Sequence, residues 1–363
     1  NHLQIMLKGL EQNQWVNPIS LSEAKKSFIL RIAFDGIDEV IRTADLNTEI
    51  MYLWLRQTIL DEIKQTEKRD QAHVETENPF VHSNFITISP GRFLMGKGRS
   101  RPTEITEEFE MMQIPMTQII FARLMLAFGE TNPQKINPSV FKDGLYSVVL
   151  GGIDSSFMSF KMQPDNPLEN VSYDFIVNYF LPHLNKISNS VDAYAQMFLQ
   201  SIFPNHKKGD YYDLPTEAQI EYVMKKAKTD DGDSIDEMLK RRDLAKLKKY
   251  TVYRIGATIE ITNNTKPVTQ QLPLFVEGQQ IYMHGNVFES AKDAWDGDAK
   301  LPGGKDPLVS EGHLRIVRGG SWSLPKYYML SSKRHANTPS NSGGGTGFRL
   351  VRTRNSQQGK MLK

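Results

Sequence analysis

The 363-residue chain contains no cysteine. No disulfide framework, thiolate nucleophile or thiolate metal ligand can be built from it. Long apolar runs are missing as well, and none approaches the ~18 to 20 residues that span a bilayer. Nor is there an excess of one charge: Lys plus Arg number 44 and Asp plus Glu 42, a net charge of +2. Such a balance gives no global field for nucleic acid or a membrane surface, and no nucleic-acid partner is expected. Histidine is sparse and scattered, at positions 2, 73, 82, 183, 206, 284, 313 and 335, and lone histidines are ordinarily structural or exposed rather than ligands. Ser321 lacks the Gly-x-Ser-x-Gly elbow of a hydrolase, and no glycine-rich phosphate loop ending in Lys-Ser/Thr occurs. Absence of Cys suits cytosol and periplasm alike. The first residue is Asn1 rather than Met, which fits a removed leader and inclines the reading towards export, to the periplasm or cell surface.

What is present is a globular composition, 39% hydrophobic and 24% charged, long enough for one large domain and an accessory segment. Residues 1–75 read as that accessory segment, and as helical. Ser20-Leu21-Ser22-Glu23 has capping-box spacing, and Phe28, Ile29, Ile32, Ile37, Val40 and Ile41 recur at helical intervals. A second helix is expected from about Thr48 to Lys68. Two such apolar faces pack on each other and on the main domain, or form a docking surface for a partner. Residues 65–78 read as the linker, and 355–363 as a C-terminal tail.

The main domain is expected over residues 82–354. Phe85-Ile86-Thr87-Ile88 and Arg92-Phe93-Leu94-Met95 read as a hairpin across Ser89-Pro90-Gly91. Phe109 to Ile114 reads as a strand, followed by a helix from Gln118 to Phe128 whose apolar stripe is core. Further helices are expected from Tyr173 to Leu184, after Ser172, and from Glu217 to Lys228, after the N-cap candidate Thr216. The segment Lys225 to Lys249 is densely charged, with a basic part that reads as a solvated amphipathic helix. Its acidic part lacks the glycine and terminal-Glu spacing of an EF-hand.

The chain is organised around Val317-Arg318-Gly319-Gly320-Ser321-Trp322 and the later Gly347-Phe348-Arg349-Leu350-Val351-Arg352. Val317 opens a β-type segment, the glycine pair allows a bend or a close approach, and Phe348, Leu350 and Val351 read as a closing strand. Between them, Pro325, Pro339 and Gly343-Gly344-Gly345 forbid a long regular element. Lys326, Tyr327, Tyr328, Lys333, Arg334, His335 and Asn337 therefore belong to a surface loop pinned at both ends, where binding residues concentrate.

These C-terminal motifs, with Gly285-Asn286-Val287-Phe288-Glu289, Tyr212-Asp213-Leu214-Pro215-Thr216-Glu217-Ala218, Asn166-Pro167-Leu168-Glu169-Asn170-Val171-Ser172, Asn137-Pro138-Ser139-Val140-Phe141 and Pro90-Gly91-Arg92-Phe93, occur in the order found in one family. The chain resembles the formylglycine-generating enzyme, or sulfatase-modifying factor, domain. The resemblance implies an α+β fold, a variant of the C-type-lectin fold, here with an N-terminal helical extension.

It also implies what this member lacks. The family's activity uses two cysteines that bind copper, and the matching positions fall near Leu324 and Met329, so formylglycine formation is excluded and no copper is expected. Ser290 replaces an aromatic of the family's active-site floor. A structural Ca²⁺ is implied at the turn Gly285, Asn286, Val287 and Glu289, where the family uses carbonyls and the glutamate. A second family calcium site is not traceable in Thr258 to Asn264. Iron-dependent relatives carry His-x-x-x-His-x-Glu in an N-terminal helical domain, a motif absent from residues 1–75. Non-catalytic members bind protein or surface ligands through the same C-terminal loop. The reading is a non-catalytic binding or assembly module that recognises a ligand through residues 323–345; the alternative is a metal-dependent oxygenase-type enzyme with a non-cysteine site.

Overall fold

The structure is a computed structural model, and it describes residues 82–97, 100–142, 145–148, 158–254, 264–295 and 301–354. The chain divides into two compact units, Asn1–Asn78 with Val149–Phe157 and Pro79–Val148 with Met158–Lys363; all described residues belong to the second. The expected N-terminal helices, the linker at 65–78, most of the untraced calcium segment and the C-terminal tail lie outside the described residues.

The architecture is α+β. One antiparallel sheet joins the beginning of the domain to its end, in the order β1 (Phe85–Ile88), β4 (Phe109–Met112), β15 (Val351–Thr353), β7 (Tyr211–Asp213). Phe85 lies opposite Met112, and Val351 opposite Met111. A second sheet runs β13 (His335–Asn337), β12 (Leu314–Arg318), β10 (Phe288–Trp295), β14 (Thr346–Gly347), with a bulge in β10 between Ser290 and Ala294. A third comprises β11 (Gly304–Lys305), β3 (Arg101–Ile105) and β2 (Gly91–Met95); β5 (Leu145–Val148) with β6 (Met158–Lys161), and β8 (Leu274–Val276) with β9 (Gln279–Ile281), form separate hairpins.

The hairpin expected between residues 85–88 and 92–95 does not form, because β1 pairs with β4 and β2 with β3. The turn groups are taken elsewhere. Ser89 N–H and hydroxyl both donate to Glu277, Tyr222 hydroxyl donates to Ser89 carbonyl, and Pro90 has no N–H to offer. Each strand then takes a partner that lets its apolar side face the core: Ile86, Ile88, Met95, Ile105, Phe109 and Met111 are all buried.

The helix Gln118–Ala127 starts where Thr117 caps it and is buried on nearly every side. Phe121 stacks on Phe180 at 5.2 Å between ring centroids and meets Phe348 edge-on. Each such fully buried ring contributes about 1.5–3 kcal/mol. Ser172 caps the next helix, which runs through Tyr173–Phe175, a π-helical stretch Ile176–Phe180 and Leu181–Ser188. The widening has a local cause. Pro182 cannot donate to the ladder, and Leu181 N–H bonds instead to Ile176 carbonyl.

Thr216 caps Glu217–Lys226 with a full capping box to Gln219. The charged segment forms two short helices, Ile235–Arg241 and Leu244–Tyr250, separated by Arg242 in the left-handed region at φ 60°. They are not merely solvated: Ile235, Met238, Leu247 and Tyr250 enter the core. The exposed sides carry the ion pairs Lys246 to Asp231 and Asp233, and Arg241 to Asp233.

Candidate functional site

The C-terminal loop is held against a helix by buried charge. Glu217 and Glu221 sit one turn apart on Glu217–Lys226, both fully buried on the face shared with Ala218, Ile220 and Val223. Arg318, at the end of β12, is equally buried; its Nη2 donates to Glu221 and, at 2.6 Å, to Ser331 carbonyl. Arg334 closes on Glu217 as a fork, with Nε to Oε1 at 2.7 Å and Nη2 to Oε2 at 2.9 Å. From the other side, Lys225 Nζ approaches Glu221 at 2.7 Å and Gly96 N–H donates to the same carboxylate. Asp293 accepts from Glu217 N–H and Val309 N–H, and burial pushes its carboxyl up to about 6.

This frame is legible in part from the sequence. The Glu217/Glu221 pair at i, i+4 on an apolar helix face is a signal of buried ionic partners, since such carboxylates are almost never fully buried unless paired. Which arginines answer it depends on positions more than ninety residues along the chain.

The turn at residues 284–286 is strongly curved: His284, Gly285 and Asn286 all have positive φ, at 72°, 80° and 66°. It is clamped to the Gly-Gly-Ser-Trp segment. Gly285 N–H donates to Gly319 carbonyl and Trp322 N–H to Asn286 carbonyl. His284 Nδ1 bonds to Met329 carbonyl at 2.7 Å, and burial pushes the imidazole pKa down, keeping it neutral. The glycine pair divides its labour. Both residues take left-handed φ, but a Cβ on Gly319 would meet open space, whereas one on Gly320 would collide with Met329 Cε.

The positions near which the family's cysteines fall are occupied differently. Met329 is fully buried in the core, packed against Gly320, and Leu324 is half-buried. Val317 does not open a strand but lies near the end of β12. Trp322 is half-buried; its indole N–H donates to Gly344 carbonyl and its ring meets Phe141 edge-on.

The residues expected to hold calcium are engaged with protein. Glu289 Oε1 and Oε2 both accept from Arg349, and the guanidinium also donates to Met112 and Tyr282 carbonyls. Asn286 Oδ1 accepts from Lys266 N–H and its amide donates to Lys266 carbonyl. Val287 N–H turns back to Gly285 carbonyl. A carboxylate neutralised by a buried guanidinium is a poor ligand for a hard cation, so this donor set does not fit calcium. Among the described residues, no three His, Asp or Glu side chains converge as a metal site.

The seven loop residues separate into two groups. Arg334 turns inward to Glu217, His335 stacks on Phe288 at 5.2 Å within β13, and Asn337 donates to Thr346 hydroxyl. Tyr328 packs partly against the core. These four serve the fold. Of the other three, Tyr327 is exposed, while Lys326 and Lys333 are half-buried and make no ion pair among the described residues. Tyr327 is 49% exposed, and Lys333 Nζ lies over the rings of Tyr327 and Tyr328 at 5.5 and 5.1 Å. Lys326 and Tyr327 border an open cleft of about 470 Å³ whose far side is the helix Ile235–Arg241 and the turn after β2. No local pattern in the sequence signals that these three segments meet.

The model of the sulfatase-modifying factor enzyme 1-like domain matches residues 70–354. No curated protein matches the chain. Among solved structures, it is similar to the variable protein 1 of Treponema denticola, with 20% identity and a TM-score of 0.49 over 74% of this chain and 94% of that one. PvdO from Pseudomonas aeruginosa matches with 20% identity and a TM-score of 0.46, again over 74% and 94% of the two chains. CarF matches with 17% identity and a TM-score of 0.44 over 76% and 99%. With a family match that spans the sheets, the clamped turn and the charge-held loop, the chain belongs to the sulfatase-modifying factor enzyme 1-like family.

Proposed function

We propose that this family member is a binding or assembly module that recognises a protein or surface ligand through the outward part of its C-terminal loop. One observation carries the reading. Where the resemblance places a reactive cysteine pair, the chain has Met329 sealed in the core and Leu324, while the adjoining surface presents Tyr327 between Lys326 and Lys333. An exposed tyrosine stiffened by a neighbouring ammonium gives large contact area at small entropic cost, as recognition surfaces require. The loop bearing it is tied down by Arg318, Arg334 and Ser331, so binding need not order it.

The test compares wild-type protein with K326A/Y327A/K333A in capture of a partner from extracts of the native cells, the partner being identified by mass spectrometry. Loss of that partner at an unchanged melting temperature is the expected result. Retention by the triple variant, or stoichiometric copper or iron in the purified wild type, would overturn the reading.

A further inference from the structure

The cleft beside the loop is built from distant parts of the chain. Lys97 comes from the turn after β2, Lys240 from the helix Ile235–Arg241, and Lys326 from the loop itself; Leu239, Leu330 and Tyr327 supply apolar lining. At about 470 Å³ it falls in the size range of ligand clefts.

Its charge is unbalanced, because four lysines, Lys97, Lys225, Lys240 and Lys326, border it against one carboxylate, Asp236. Lys225 is paired with Glu221, Lys228 with Glu237, Arg241 with Asp233, and Lys246 with Asp231 and Asp233. Among the described residues, Lys97, Lys240 and Lys326 have no carboxylate within ion-pair distance, although all three border the same cleft. The one acidic residue there, Asp236, already accepts from Ser331 N–H and hydroxyl. That contact also fixes the cleft's width, because it ties the helix Ile235–Arg241 to the loop.

We propose that this cleft binds an acidic peptide segment of a partner protein, its carboxylates meeting Lys97, Lys240 and Lys326 and one apolar side chain seated on Leu239, Leu330 and Tyr327. The inference rests on the recognition reading above and adds the chemistry of what is recognised. Lysines are point charges that serve separated carboxylates, and a free inorganic anion would make no use of the apolar lining. Concavity selects a protruding peptide over a lipid surface, which docks instead on projecting apolar side chains.

The test uses the full chain and a short fluorescent peptide with a central leucine flanked by glutamates, read by anisotropy at low and at physiological salt. The wild type is expected to bind it, more weakly as salt rises. K97E/K240E/K326E is expected to bind at least about tenfold more weakly while melting like wild type, since each site is a surface lysine. Replacing the glutamates by glutamine, or the leucine by serine, weakens binding as well. Equal binding of the glutamine peptide or by the charge-reversed protein would overturn the proposal. So would displacement by inorganic phosphate with indifference to the leucine, which marks an anion site only. If the protein ignores acidic peptides yet captures its cellular partner through Lys326, Tyr327 and Lys333, the peptide inference fails and the recognition reading stands; retention of the partner by K326A/Y327A/K333A is the separate failure of that reading.

Discussion

Arg349 is the residue whose removal should cost most for a single side-chain change. Its guanidinium is fully buried, donates twice to Glu289, and caps the carbonyls of Met112 and Tyr282 at 2.8 and 2.6 Å. It thus joins the segment before β15 to β4, to β10 and to the strand end before the clamped turn. R349M keeps most of the apolar volume but leaves a buried carboxylate unpaired, at about 3–5 kcal/mol. Two orphaned carbonyls add about 1–3 kcal/mol each wherever water cannot reach them. The sum is comparable to the whole stability of a typical domain, ~5–15 kcal/mol. The double variant R349M/E289M removes the orphaned charge and should recover about 3 kcal/mol of the loss, because an apolar pair in place of a buried ion pair is often neutral. Urea unfolding of wild type, both single variants and the double variant measures the coupling. If R349M costs less than about 1 kcal/mol, or if the double variant is no more stable than R349M, the ion pair is not what holds these strands. Calcium provides a second check. Chelation should leave the wild-type melting temperature unchanged, and a calcium-dependent rise abolished by E289Q would show that Glu289 serves a cation rather than Arg349.

Three further outcomes follow from the same geometry. R334A should destabilise by about 2–4 kcal/mol by stranding the buried Glu217 carboxylate, whereas K326A and Y327A should each stay within about 0.5 kcal/mol of wild type in the same urea titration. G319A and G320A both place an alanine in left-handed backbone, at about 1–2 kcal/mol. G320A should cost a further ~1–3 kcal/mol by overpacking Met329, and G320A/M329A should recover part of it. Asp293 titrates at about 6 when folded and at about 3.9 when unfolded, so the stability it contributes is complete below about pH 4 and lost as pH rises through 6. That loss amounts to about 3 kcal/mol by pH 7, so the stability of wild type relative to D293N should fall between pH 4 and pH 7; a pH-independent difference would refute the burial account.

Local signals are legible in the chain wherever one residue or one short repeat suffices. Thr117, Ser172 and Thr216 cap the helices that their positions announce, and the apolar stripe from Ile119 to Leu126 is core. The ordered motifs identify the family, and the absence of cysteine by itself removes the thiol chemistry. Pairing is not legible in the same way. Phe85–Ile88 and Gly91–Met95 are adjacent and both β-forming, yet their partners are chosen by which strands can share one core face.

The same limit applies to the site. Seven loop residues look alike as polar or aromatic members of one segment, and only the buried Glu217 and the Phe288 ring decide that Arg334 and His335 turn inward while Tyr327 stays exposed. By itself the sequence determined composition, caps, core stripes, family and missing thiols, because each is a property of neighbours along the chain. The tertiary structure alone decided which carboxylate each buried arginine answers, and that three distant lysines border one cleft. Those outcomes depend on long-range Coulomb and packing partners that no local pattern encodes.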